Sequence, residues 1–128
     1  MNPCTRLLAI ALALWSTSTG AEMVPVEWDA AGRFDKVVAV APGKFVEACE
    51  KLPRGAEVAW QFEAGAAVDF NIHYHVGQQV VFPTRLNQQT RHEGRLQAEL
   101  DQDYCWMWTN KGTATTSLRF QLLRKRAG

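Results

Sequence analysis

The sequence predicts an all-β protein: a single antiparallel β-sandwich behind an N-terminal signal peptide. Three observations carry that prediction. Short apolar or alternating runs recur along the chain, separated by turn-forming residues. No helical period appears beyond residue 21. Large aromatics are dense for so small a domain, with Trp28, Trp60, Trp106, Trp108 and several phenylalanines. Most of these belong in a core, since buried aromatics dominate the energetics of small domains. The rival role for such residues is a carbohydrate platform. The sandwich is assigned to residues 34–123, with residues 22–33 as an N-terminal extension and 124–128 as a basic tail.

Residues 1–21 read as a leader. Arg6 gives the positive start, Leu7 to Trp15 a short apolar run, and Ser16 to Ala21 small residues for cleavage. The run is too short for a permanent membrane helix. A buried N-terminal helix is the competing reading. The leader implies a periplasmic or secreted protein with no integral membrane segment after cleavage. The 128-residue chain has 14 basic and 13 acidic residues. Losing Arg6 with the leader balances the charges, which leaves no field for nucleic acid or an anionic membrane. Arg124-Lys125-Arg126 is most simply a solvated tail.

Each element follows from its residues. Lys36 to Val40 forms a first strand, ended by Ala41-Pro42-Gly43. Phe45 to Cys49 is a strand or a short turn, and Leu52-Pro53-Arg54-Gly55 is a turn. Glu57 to Glu63 alternates, with Val58, Trp60 and Phe62 on one face. Ala64-Gly65-Ala66-Ala67 is expected to turn the chain into the segment Val68 to Val76. There Phe70, Ile72 and Tyr74 share an apolar face, while Asn71, His73 and His75 share the other. Gly77-Gln78-Gln79 turns again, and Val80 to Phe82 follows, stopped by Pro83. Residues 84–95 are polar and read as a long loop or an exposed hairpin. Leu96 to Leu100 alternates weakly, and Tyr104 to Trp108 strongly. Asn110-Lys111-Gly112 is a turn before a closing strand, Ser117 to Leu123. The expected core is Val58, Trp60, Phe62, Phe70, Ile72, Tyr74, Val80, Phe82, Tyr104, Trp106, Trp108, Leu118, Phe120 and Leu122.

Two cysteines follow the leader, Cys49 and Cys105. In an oxidising compartment an even pair reads as a disulfide. The alternative is a pair of thiolates that help the histidines hold zinc.

From about Lys36 to Leu123 the chain resembles the GOLD (Golgi-dynamics) domain, a jelly-roll-like β-sandwich. Cys49 ahead of the Val58–Phe62 strand carries part of the likeness. Val68-Asp69-Phe70-Asn71-Ile72 looks like the family's central strand. Tyr104-Cys105-Trp106-Met107-Trp108-Thr109-Asn110 is similar to its late pattern of tyrosine, alternating aromatics and asparagine. The family's late cysteine falls at Met107; here it is Cys105, two residues away on the same face. The resemblance implies a sandwich with a Cys49–Cys105 bond. It implies no trafficking role, because the coiled coil, membrane helix and cytosolic tail of the cargo receptors are not matched. His73 and His75 are not part of the family's pattern.

The chemical inventory points to binding rather than catalysis. There is no Gly-x-Ser-x-Gly elbow and no HExxH motif. Two imidazoles on one strand face can converge on a metal. Neutral imidazole suits copper, zinc or nickel, and thioether suits cuprous copper. The proposed ligands are His73 and His75, completed by Met107 or His92, with Asp69 and Met23 as further donors. A blue-copper centre is disfavoured, because no histidine follows Cys105. The rival function is a partner-protein or ligand module with no metal, in which the 84–95 segment, through Arg85, Arg91 and Arg95, receives the partner. In that case the two histidines are solvated polar residues or flank a groove.

Overall fold

The computed structural model describes residues 22–125. The expected signal peptide and the last three residues of the basic tail lie outside them. Seven strands are formed: β1 (Glu22–Pro25), β2 (Arg33–Val40), β3 (Phe45–Leu52), β4 (Glu57–Val76), β5 (Gln79–Gln97), β6 (Gln102–Thr109) and β7 (Thr116–Arg124). There is no helix among the described residues, hence none long and apolar enough to cross a membrane. The all-β prediction holds.

One curled sheet makes both walls of the sandwich. Its order is β1-β3-β6-β4-β7-β2, with β5 along β4. The first half of β4 pairs with β7, from Val58↔Arg124 to Ala64↔Leu118. The second half pairs with β6, from Asp69↔Thr109 to His73↔Cys105. A single 20-residue strand therefore belongs to both walls. All pairings are antiparallel except β1 with β3, which is parallel. Through that pairing the segment read as an extension joins the sheet, and Val24 is buried.

The core lies between the walls. Trp108 of β6 stacks on Phe120 of β7 at 4.4 Å between ring centroids, although these strands are not neighbours in the sheet. Phe70 and Phe62 complete the cluster at 5.3 and 6.0 Å from Trp108. Eleven of the expected core residues are buried: Val58, Trp60, Phe62, Phe70, Ile72, Tyr104, Trp106, Trp108, Leu118, Phe120 and Leu122. Tyr74 is half-buried and packs on Tyr104.

Three expectations are corrected. Ala64 to Ala67 is not a turn between strands but a bend within β4, where the β4–β5 register shifts between Glu63 and Val68. Small residues permit it, since the chain passes close to β7 and the Ala66 amide donates to Thr116 Oγ1 at 2.8 Å. Residues 84–95 are neither a long loop nor a hairpin of their own but the middle of β5, one arm of the β4–β5 hairpin. Pro83 does not stop that strand, because β5 pairs on one side only, and an edge strand tolerates a missing donor. Val80 and Phe82 are exposed, at 42% and 38%. The tight turn at Gly77-Gln78 sets Val80 opposite His75 and so fixes it to the outer face. Parity along a strand then carries Phe82 outward as well.

Candidate functional site: an outer-face cluster around His73

The wall β3-β6-β4-β5 presents two adjacent rows on its outer face. One runs Cys49↔Cys105↔His73, and the next runs Glu47↔Met107↔Asn71↔Arg85. Met23 of β1 extends the second row beside Glu47. Paired residues on one face lie close enough to interact. The histidines and Met107 thus share a sheet face, as the alternation anticipated, although the two histidines differ in setting. His73 is buried, at 7% exposure, while His75 is exposed. Their rings meet edge to face at 5.4 Å.

Cys49 and Cys105 form the expected disulfide, with an S–S distance of 2.05 Å. It links directly opposed residues of β3 and β6.

His73 is held from several sides. Its Nδ1 donates to Asn71 Oδ1 at 2.7 Å, since an amide oxygen can only accept. Its Nε2 lies 4.0 Å from Glu47 Oε2. The Phe82 ring lies 6.0 Å away and shields the imidazole from the β5 side. A register shift between Ile72 and Tyr74 adds a residue to β5 there and puts Phe82 opposite His73. Burial lowers the His73 pKa, against a smaller upward pull from Glu47, and His75 adds to the lowering. Near neutral pH the ring is uncharged, with its proton on Nδ1. The Nε2 lone pair then faces a carboxylate oxygen. Two acceptors turned toward each other leave room for a cation or a proton donor between them.

The other proposed residues fall elsewhere. His92 pairs with Phe62, far along β5, and stacks over Trp60 at 5.9 Å. It borders an open groove with Asp35, Glu63, Arg91 and Arg119 and does not converge on His73. Asp69 is committed to Lys111 at 2.7 Å and to the backbone and side-chain nitrogens of Gln88. Arg91 pairs with Glu63 at 3.2 Å, both exposed, and exposed Arg95 pairs with half-buried Glu57 at 3.5 Å. Only Arg85 joins the cluster; its guanidinium carbon lies 4.2 Å over the Phe82 ring. Sequence reading missed Glu47. No local pattern marks it, since it reaches His73 only through the pairing of three strands.

No family model matches the chain, and no curated protein gives a significant match. Solved structures do. A periplasmic inhibitor of g-type lysozyme from Aeromonas hydrophila, PliG, aligns with a TM-score of 0.63 at 10% identity, covering 83% of this chain and 98% of that one. PliG from Salmonella Typhimurium aligns at 0.57 and 10% identity, covering 82% and 99%. The pre-peptidase C-terminal domain of a Bacillus anthracis collagenase aligns at 0.56 and 10% identity, covering 82% and 94%. At these identities the likeness is one of fold.

Proposed function

We propose that this is an exported binding protein without catalysis, which docks a partner protein on the outer face at the free end of the β4–β5 hairpin. The observation that carries the reading is the apolar exposure gathered there. On that face Val80 and Phe82 are 42% and 38% exposed, and Val76, on the opposite face of the same hairpin end, is 47% exposed. Arg85 covers one face of the Phe82 ring, His73 borders the ring, and His75 packs against His73. Apolar patches rimmed by polar groups mark interaction sites, and aromatic and arginine side chains are enriched in them. Export is supported by the leader-like N-terminus and the disulfide. The periplasmic inhibitors of like fold name the partner to try first, a g-type lysozyme. The test is inhibition of a g-type lysozyme by purified protein, repeated with Phe82→Glu and with Arg85→Ala. Inhibition by the wild type, weakened at least tenfold by Phe82→Glu, supports the reading. Inhibition indifferent to both changes rejects the surface, and none at all rejects this partner.

A second reading is capture of a copper or zinc ion at His73. It is favoured by the approach of Nε2 to Glu47 Oε2, with His75 and Met107 on the same face. Metal titration of the oxidised protein against His73→Ala tests it; equal affinities refute it.

A further inference from the structure

The disulfide lies in the same row as His73, and Glu47 stands in the next. Cys105 Sγ, an imidazole nitrogen of His73 and a carboxylate oxygen of Glu47 all lie within 4.8 Å of one another. The other carboxylate oxygen, Glu47 Oε1, lies 3.5 Å from Cys49 Sγ. Three donors thus converge, and the Cys49 sulfur adjoins them through its bond to Cys105 and its approach to Glu47. His73 and Cys105 floor the cluster from the buried side, and Glu47 and Cys49 are half-exposed.

While the sulfurs are bonded to each other they carry no charge, and the thiolate is the metal ligand. We propose that reduction of Cys49–Cys105 converts this cluster into a four-ligand zinc site formed by Cys49, Cys105, His73 and Glu47. Thiol exchange with a dithiol reductant breaks the Sγ–Sγ bond. Two electrons and two protons pass to the cysteines, and the reductant leaves as its own disulfide. Zinc then displaces both thiol protons to solvent. Two thiolates, one imidazole and one carboxylate oxygen are donors that zinc accepts in a closed tetrahedral shell. Softer copper ions favour the sulfurs, but the hard oxygen of Glu47 suits zinc better. His73 is already in the tautomer required, with Asn71 Oδ1 accepting the hydrogen bond from Nδ1–H as the outer partner of a ligating histidine does.

The site shares His73 and Glu47 with the metal reading above but does not depend on it, since its decisive donors are the sulfurs. In the oxidised protein the row is a covalent staple between β3 and β6. In the reduced protein zinc ties the same strands and also β4. The ion therefore acts as a redox-gated replacement for the bond, and it shields the thiols from further oxidation.

The experiment compares oxidised protein with protein reduced by a phosphine, which adds no competing thiol. Zinc affinity is read by competition with a chromophoric chelator, and cobalt(II) serves as a spectroscopic probe. Reduced wild type is expected to bind one zinc at least 100-fold more tightly than the oxidised form. Cobalt should give a thiolate charge-transfer band and tetrahedral visible bands. His73→Ala and Glu47→Gln should each weaken zinc at least tenfold in the reduced state. Near-ultraviolet circular dichroism follows folding throughout. Overturning results are equal affinity in the two redox states, absence of the thiolate band, or insensitivity to both substitutions. A reduced chain that stays unfolded with zinc bound also overturns the proposal. Zinc held by the oxidised protein and lost in His73→Ala supports the second reading above, independently of the outcome after reduction.

Discussion

Within β4, His73 Nδ1 donates to Asn71 Oδ1, its nearest neighbour along the outer face, at 2.7 Å. The bond fixes the tautomer and turns Nε2 toward Glu47. Burial of the ring, opposed by Glu47 and aided by His75, puts its pKa below the usual histidine value. The folded state therefore holds this proton less readily than the unfolded chain, whose histidines titrate near 6.5. The stability that follows is complete above about pH 6.5 and is lost as the pH falls from there toward the folded-state value. Melting temperature should drop on acidification from about pH 7 to pH 5, and His73→Gln should flatten that part of the drop. Asn71→Asp should oppose it by stabilising the imidazolium. An unchanged profile in both variants would contradict the assignment.

Asp69 is the second pH-sensitive point. Its partial burial works to raise its pKa, but the bonds from Lys111 and Gln88 outweigh this and hold it below the ordinary carboxylate value. The unfolded chain thus takes up the proton first. The stabilisation is present above about pH 4 and fades as the pH falls through the folded-state value. Asp69 also accepts from the backbone of Gln88, whose φ is +52°. Asp69→Ala should cost about 1–3 kcal/mol, since it leaves donors unmade at a bulge. Urea unfolding near neutral pH checks the loss, and the difference from wild type should shrink in acid.

Gly94 is required by Trp60. The two are paired across β4 and β5, and a Cβ on Gly94 meets Trp60 Cζ2 at 2.5 Å. The indole is buried and packs against Phe62 and Phe70. Gly94→Ala should destabilise by about 1–3 kcal/mol through overpacking. Chemical denaturation followed by tryptophan fluorescence gives the value; a neutral result means that β5 shifts freely against β4.

Reducing the disulfide should lower the melting temperature. The bond joins residues 56 apart, and closing a loop of that size is worth about 4 kcal/mol in the chain-entropy model. Thermal scans with and without a reductant, with metal chelated, measure the effect. A loss under about 1 kcal/mol would show that the strand ladder holds β3 to β6 without help.

The strands with one apolar face were legible in the sequence. Val58 to Phe62, Tyr104 to Trp108 and Leu118 to Leu122 alternate because one face meets the core and the other meets solvent. The disulfide was legible from cysteine count and compartment. The face taken by Val80 and Phe82 was not, because it depends on the register set by the turn at Gly77. Residues 84–95 looked like a loop or an exposed hairpin because an edge strand with polar residues on both faces lacks the alternating signal. Among the site residues, His73 and Met107 were visible as outward-facing donors. Glu47 was not, because its proximity to His73 is created by lateral strand pairing.

The bridge from Cys49 to Cys105 encloses the whole β4–β5 hairpin, whose tip is the turn at Gly77-Gln78. A protease that cuts at that tip therefore severs the polypeptide without releasing either piece. One fragment keeps Cys49 and the other keeps Cys105. The nicked molecule should run as one species on a non-reducing gel and as two after reduction. Scission at the hairpin end offered to a partner, as anywhere between the two cysteines, thus leaves both fragments covalently joined.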